Sequence, residues 1–280
     1  MPYTAELSRT NPSCILFLID QSGSMSDPFG GDRESNRKKA DGVADAINRL
    51  LQNLVIKCAK SEGVRDYFSV GVLGYGAKVG PAFSGVLSGR DLVPISEIAD
   101  NPARIEDRTK KVDDGAGGLV EQTIKFPIWF DAVANGGTPM CGVLTQAQNI
   151  VTSWLSAHPD CFPPIVINIT DGESTDGDPS AAGDGIKSQA SSDGNALLFN
   201  VHLSSHAGHT FEFPASGAEL PDQYAQLLFN MSSPLPEHML AAARQEGYRV
   251  EEGARGFVFN ADMVAVISFL DIGTRPSNLR

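Results

Sequence analysis

Asp20, Ser22 and Ser24 stand at alternate positions directly after the apolar run Cys14–Ile19. A carboxylate followed by two hydroxyls on so short an arc presents oxygen alone. Oxygen donors suit hard divalent cations, Mg²⁺ above all, with Mn²⁺ and Ca²⁺ as alternatives. Two later segments carry matching chemistry: Gly136-Gly137-Thr138-Pro139 offers a hydroxyl, and Thr170-Asp171-Gly172 closes a second apolar run with a carboxylate. Each piece alone has an ordinary structural role. A short D-x-S-x-S match is weak by itself. Thr138 before Pro139 would serve as a helix N-cap with proline at the first helical position, and Asp171-Gly172 is a common turn. Their chain order, and their places at the ends of expected elements, give them joint meaning.

Those elements can be read from the apolar pattern. Strands are expected at Cys14–Ile19, Tyr67–Tyr75, Pro164–Thr170, Ala196–Leu203 and Gly256–Phe259. These runs are rich in β-branched residues and lack strict alternation, as parallel strands covered on both faces do. Between them, Ala40, Val43, Ala44, Ile47, Leu50, Leu51, Leu54 and Cys58 keep helical spacing, and so do Met140, Val143, Leu144, Ala147, Ile150, Val151, Trp154 and Leu155. Further helices are expected from Pro179, with Asp178 as cap, and at Pro221–Met231, Pro236–Glu246 and Asp262–Ile272. Strand and helix in alternation imply an α/β fold: a doubly wound, mostly parallel open sheet of Rossmann-like type with helices on both faces. A short antiparallel edge strand is expected at Phe83–Leu87, and a long loop or insertion at about 99–133. One domain over 13–272 lies between a polar segment, 1–12, and a tail, 273–280. In such sheets ligands bind beyond the carboxyl ends of the strands, where strand order reverses. Asp20 and Asp171 end two strands, and Thr138 lies in a loop that opens a helix.

Asp20-x-Ser22-x-Ser24, Thr138 and Asp171, in that order, resemble the metal-ion-dependent adhesion site of von Willebrand factor type A (VWA) domains, and the resemblance runs from about Ser13 to Ile272. Stand-alone bacterial intracellular VWA proteins of the tellurite-resistance-associated type are similar in size. The resemblance implies that Ser22, Ser24 and Thr138 ligate Mg²⁺ through their hydroxyls, while Asp20 and Asp171 hold it directly or through water. It also implies an open vertex for an Asp or Glu carboxylate of a protein partner. The function implied is a non-enzymatic, divalent-metal-dependent protein-interaction module, in a bacterial kinase/phosphatase signalling or stress-response complex. Where integrin β chains carry an adjacent carboxylate pair, this chain has only Asp27 followed by Pro28, which puts a second metal site in doubt.

Other classes find less support. The chain has no G-x-S-x-G elbow and no G-x-x-x-x-G-K-[ST] phosphate loop. Gly74-x-Gly76-x-x-x-Gly80 runs into Pro81 rather than a helix, so a hairpin is expected instead of a dinucleotide site. A metal-assisted phosphoester hydrolase on the same fold, with Glu173 or a histidine as base, and a metal-free scaffold remain alternatives. His202, His206 and His209 suggest zinc only weakly, because no helix aligns them. Glu173, Asp176 and Asp178 either form a weak Ca²⁺ loop or, in the favoured reading, place Asp178 as a cap among solvated carboxylates. With 34 acidic and 22 basic residues the net charge is −12, which argues against nucleic-acid or anionic-membrane binding. The one dense basic cluster, Arg37-Lys38-Lys39, is expected to be solvated helix surface. No targeting segment and no apolar run near membrane-spanning length is visible. Cys14, Cys58, Cys141 and Cys161 lack CxxC spacing and read as free thiols, hence a cytoplasmic location.

Overall fold

The computed structural model describes residues 3–28, 37–113, 119–203 and 209–274. In chain order its principal elements are β1 (Ser13–Asp20), α1 (Lys39–Cys58), β2 (Phe68–Tyr75), β3 (Val79–Pro81), β4 (Val93–Pro94) and α2 (Ile95–Asp100). There follow β5 (Arg104–Asp113), β6 (Leu119–Ile128), α3 (Met140–Ala157), β7 (Ile165–Thr170), α4 (Ser180–Lys187) and β8 (Leu197–Leu203). The chain continues through β9 (Phe211–Glu212), α5 (Gln223–Met231), α6 (Glu237–Gln245) and β10 (Phe257–Ala261) to α7 (Met263–Gly273).

The main sheet has the order β9-β10-β8-β7-β1-β2-β3, with β4 also paired to β2. The five inner strands, β10, β8, β7, β1 and β2, run parallel. Antiparallel pairing is confined to the short strands β3, β4 and β9. From β1 the chain passes through α1 to β2 on one side, then through α3 to β7 on the other. The switch point therefore falls between β1 and β7, where the carboxyl ends deliver Asp20 and Asp171.

The central strands are buried because both faces are covered. Ile15, Phe17 and Ile19 of β1 face a core shared with α1, α6 and α7. Cys14, Leu16 and Leu18 face the opposite core with α3, α4 and α5. Each fully buried Leu, Ile, Val or Phe contributes roughly 1.5–3 kcal/mol relative to exposure, which pins the register of β1 and so the position of Asp20. The α/β sheet expected from the alternating pattern is the one present.

Two local expectations differ. The antiparallel edge strand is Val79–Pro81, which pairs with Leu73–Tyr75. Within Phe83–Leu87, Phe83 makes only a bridge to Phe130 and Gly85–Leu87 is a 3₁₀ turn. The tight turn after Tyr75 folds the chain back at once, so the pairing edge is used up before Phe83. The 99–133 stretch, expected as a loop or insertion, contains the antiparallel hairpin β5–β6, separate from the main sheet. Its base is pinned to α1 by buried Asn48, whose Oδ1 accepts from the backbone N–H of Trp129 (2.8 Å) and Phe130 (3.1 Å). Asn48 Nδ2 donates to the carbonyls of Phe130 (2.8 Å) and Ala44 (2.9 Å). Arg108 lies over the Phe126 ring at 3.9 Å and reaches Asp45 of α1 at 2.8 Å.

Among the described residues no helix is long and apolar enough to cross a membrane. The four cysteines are unpaired, and Cys14, Cys58 and Cys161 are buried.

Candidate metal centre

Backbone bonds between loops bring the separated segments together. After β1, Gln21 N–H donates to the Tyr75 carbonyl (2.7 Å), and the Gln21 carbonyl accepts from Asn135 N–H (2.6 Å). Gly23 N–H donates to the Gly136 carbonyl at 3.0 Å, and Ala77 N–H to the Asn135 carbonyl at 2.8 Å. Three loops thus share one small backbone lattice, and glycine makes it possible. Gly136 has φ +96°, and a Cβ there would sit 2.3 Å from Ala77 N. A Cβ on Gly76 would lie 2.6 Å from the Asn135 carbonyl oxygen. The third segment is tied in through Thr175, whose Oγ1 accepts from Thr138 N–H (3.0 Å) and whose N–H donates to the Thr138 carbonyl (2.9 Å).

Four of the five residues singled out from the sequence, Asp20, Ser22, Ser24 and Asp171, are hydrogen-bonded together at this junction. Asp20 is fully buried: Oδ1 accepts from Ser22 N–H at 2.8 Å and Oδ2 from the Thr170 hydroxyl at 2.7 Å. Burial in this low-dielectric corner raises its pKa, against the hydrogen bonds that favour the carboxylate. Ser22 Oγ and Ser24 Oγ are 3.0 Å apart, and Ser24 Oγ donates to Asp171 Oδ1 at 2.8 Å. Thr138 is buried, and a Cβ placed on Gly172 would lie 3.8 Å from Thr138 Oγ1. Ser24 is exposed, so the cluster opens to solvent on that side.

The other Asp171 oxygen is taken by a residue expected to be solvated. Lys39 Nζ forms an ion pair with Asp171 Oδ2, and the two side chains are 3% and 0% exposed. The expectation that Arg37-Lys38-Lys39 is all solvated surface is corrected at this position. Lys39 lies on the same helix stripe as Val43, Ile47 and Leu50, so it points inward. That spacing is present in the sequence, although lysine is rarely buried unless paired.

The donor set fits a hard divalent cation. It is oxygen only, supplies two carboxylates and three hydroxyls, and already attracts a cationic group. Among the described residues no cluster of three or more His, Cys, Asp and Glu is placed to hold a metal ion.

No protein-family model matches the sequence, and no curated protein sequence does. Among solved structures, the chain is similar to the PilB minor pilin from Streptococcus sanguinis, at 13% identity and TM-score 0.46, covering 98% of this chain and 62% of that one. It is similar to the ArnB paralog VWA2 from Sulfolobus acidocaldarius, at 14% identity and TM-score 0.37, covering 71% and 36%. A third is the vWF domain of the type V pili tip protein Mfa5 from Porphyromonas gingivalis, at 16% identity and TM-score 0.31, covering 59% and 39%. The chain spans less than two thirds of the length of each.

Neighbouring groups have other employment. Asp176 caps α3, its carboxylate accepting from Cys141 N–H (3.0 Å) and Gly142 N–H (2.9 Å). The alternative structural role weighed for Thr138, as helix N-cap, is not taken up: the helix starts at Met140 with Pro139 at the cap position and no side-chain cap bond. Asp178 accepts from Ser180 N–H at 2.9 Å at the start of α4, and Glu173 is exposed. Of the three histidines considered for zinc, His206 lies outside the described residues. His202 stacks on Phe259 at 4.6 Å and His209 meets Phe211 edge-on.

Sequence reasoning also missed a polar chain beneath the site. The Tyr75 hydroxyl donates to Asn168 Oδ1 (2.6 Å), Asn168 Nδ2 to Asn200 Oδ1 (3.0 Å), and Asn200 Nδ2 to Ser232 Oγ (3.0 Å). All four residues are 0% exposed. A hydrogen-bonded chain of this kind fixes the side-chain directions of β2, β7 and β8 next to Asp20 and Asp171. An asparagine at the centre of each of two apolar strands, Asn168 and Asn200, was the available signal.

Proposed function

We propose that this chain is a divalent-metal-dependent protein-interaction module of VWA type, in which Mg²⁺ is held by Asp20, Ser22, Ser24, Thr138 and Asp171 and accepts an Asp or Glu carboxylate from a protein partner. One observation carries the reading. Asp20, Ser22, Ser24 and Asp171, from two segments far apart in sequence, are joined by hydrogen bonds at the switch point of a doubly wound sheet, with buried Thr138 beside Gly172. Bound there, the ion would supply a Lewis-acidic centre for an acidic side chain.

The residues themselves have distinct parts in this reading. Asp20 and Asp171 provide charge. Ser22, Ser24 and Thr138 provide neutral oxygens, which fill coordination positions without adding negative charge against an incoming carboxylate. Ser24, on the exposed side, marks the approach. Asp176 is engaged with the α3 N-terminus, and the reading needs no base from it or from Glu173. The unpaired thiols support a reducing, cytoplasmic setting.

The test is thermal unfolding of chelator-stripped protein titrated with Mg²⁺, Mn²⁺ and Ca²⁺. An ion that binds only the folded state adds RT ln(1 + [L]/Kd), about 2.7 kcal/mol at 100 Kd. Spread over an unfolding entropy of about 2.1 cal/mol/K per residue, that raises Tm by about 5 °C. Asp20→Ala should abolish the rise. A flat titration with all three ions sinks the metal-dependent reading and leaves the scaffold alternative.

A further inference from the structure

Resting on the metal reading above, we propose that Lys39 is a sixth member of the site. Its ammonium is the resident cation that neutralises Asp171 when no ion is bound, and a divalent ion enters by driving it out. Lys39 thereby sets the affinity of the site and couples its occupancy to the start of α1.

Position is the first argument. Lys39 is the first residue of α1, and its N–H donates to the Asp27 carbonyl at 3.0 Å. Asp27 N–H in turn donates to the Ser24 carbonyl at 3.0 Å, and Pro28 bridges Lys38. The backbone that carries Ser22 and Ser24 is therefore the backbone that holds Lys39, so the lysine is aimed at the site by the same loop.

Energetics supply the second. A cation in the first turn of a helix has the wrong sign for the helix dipole, and a buried ammonium requires a compensating charge. Lys39 accepts both penalties at 3% exposure, and Asp171 Oδ2 answers them. A lysine needed only for packing at this position could be replaced by an apolar residue of the same length; what it adds is charge placed against a metal-ligand carboxylate.

Charge balance and crowding supply the third. Asp20 and Asp171 carry −2 together. With Lys39 in place the cluster keeps −1, and with a divalent ion alone it reaches zero. With both, before any partner carboxylate arrives, it would carry one unit of excess positive charge in a buried setting. Both Asp171 oxygens are engaged: Oδ1 accepts from Ser24 and Oδ2 holds Lys39. An ion drawn to Oδ2 competes with the ammonium for the same oxygen. The four-carbon stem lets that group move to the open side by Ser24 while α1 stays anchored at Asp27.

The experiment compares Mg²⁺ binding by calorimetry to the wild-type chain and to Lys39→Met, which keeps length and removes charge. It adds amine acylation of the wild-type protein, mapped by mass spectrometry, in chelator and in saturating Mg²⁺. The expected results are at least tenfold tighter binding by Lys39→Met, and Lys39 protected in chelator but labelled in Mg²⁺. Equal or weaker binding by Lys39→Met, with the wild type binding normally, overturns the role of Lys39 and leaves the metal reading intact. Wild-type protein that binds Mg²⁺ with Lys39 still protected overturns it too, even if Lys39→Met does not fold. Binding by neither protein overturns both readings together.

Discussion

The ion pair between Lys39 and Asp171 can be weighed without any metal. Asp171→Asn keeps the shape of the side chain and removes its charge, so Lys39's ammonium loses its carboxylate at a position 3% exposed. Removing one partner of a buried pair costs about 3–5 kcal/mol, whereas replacing both by neutral residues is close to neutral. For 280 residues, with an unfolding entropy of about 2.1 cal/mol/K per residue, that loss lowers Tm by about 5–9 °C. Lys39→Met should cost a comparable amount, because it leaves Asp171 buried close to a second carboxylate, Asp20, whose own pKa burial already raises. The double variant should recover most of the summed loss, giving a coupling energy of about 3 kcal/mol or more. The assay is urea unfolding of all four proteins in chelator. Additive effects, with coupling below about 0.5 kcal/mol, would mean that the pair does not form and that the buried lysine is compensated elsewhere.

Three other perturbations test the frame around the site. Asn48→Leu removes the acceptor of the Trp129 and Phe130 N–H groups and the donor to the Phe130 carbonyl; at about 1–3 kcal/mol for each buried group left unsatisfied, urea unfolding should show a loss of about 3 kcal/mol or more. Gly136→Ala places a Cβ 2.3 Å from Ala77 N at φ +96°, so it should lose about 2 kcal/mol or more and weaken Mg²⁺ binding by displacing Thr138, measured by the same titration. His202 has its pKa pushed down by burial to about 4. The folded state therefore favours the neutral ring: this contribution is complete above the unfolded value near 6.5 and is lost as pH falls towards 4. Its size is about 3 kcal/mol, and His202→Phe should flatten the stability–pH curve between those limits. A curve of unchanged slope would show that the ring titrates normally.

The fold was open to reading because burial on both faces leaves a strong mark. Runs such as Cys14–Ile19 and Pro164–Thr170 admit few arrangements other than inner parallel strands, and the helical stripes of α1 and α3 supply their cover. Edges were harder. Phe83–Leu87 has the composition of a strand, yet the turn at Gly76–Lys78 gave the pairing to Val79–Pro81. The β5–β6 hairpin hid in a polar stretch because its alternation faces no large core; Ile105 and Val120 on it remain exposed.

Residue types and order along the chain determined which oxygens could gather: a carboxylate and two hydroxyls after one strand, a hydroxyl before a helix, and a carboxylate after another strand. Those are local properties, set by side-chain chemistry and by where apolar runs stop. That the three segments meet was decided by strand order, by the close approach that Gly76 and Gly136 permit, and by backbone bonds such as Gly23 to Gly136. The role of Lys39 was decided there as well. In sequence it is one of three adjacent basic residues. In the fold its helix face turns inward against a buried carboxylate, and in low dielectric the pairing of charges, rather than the preference of lysine for water, settles where the ammonium lies.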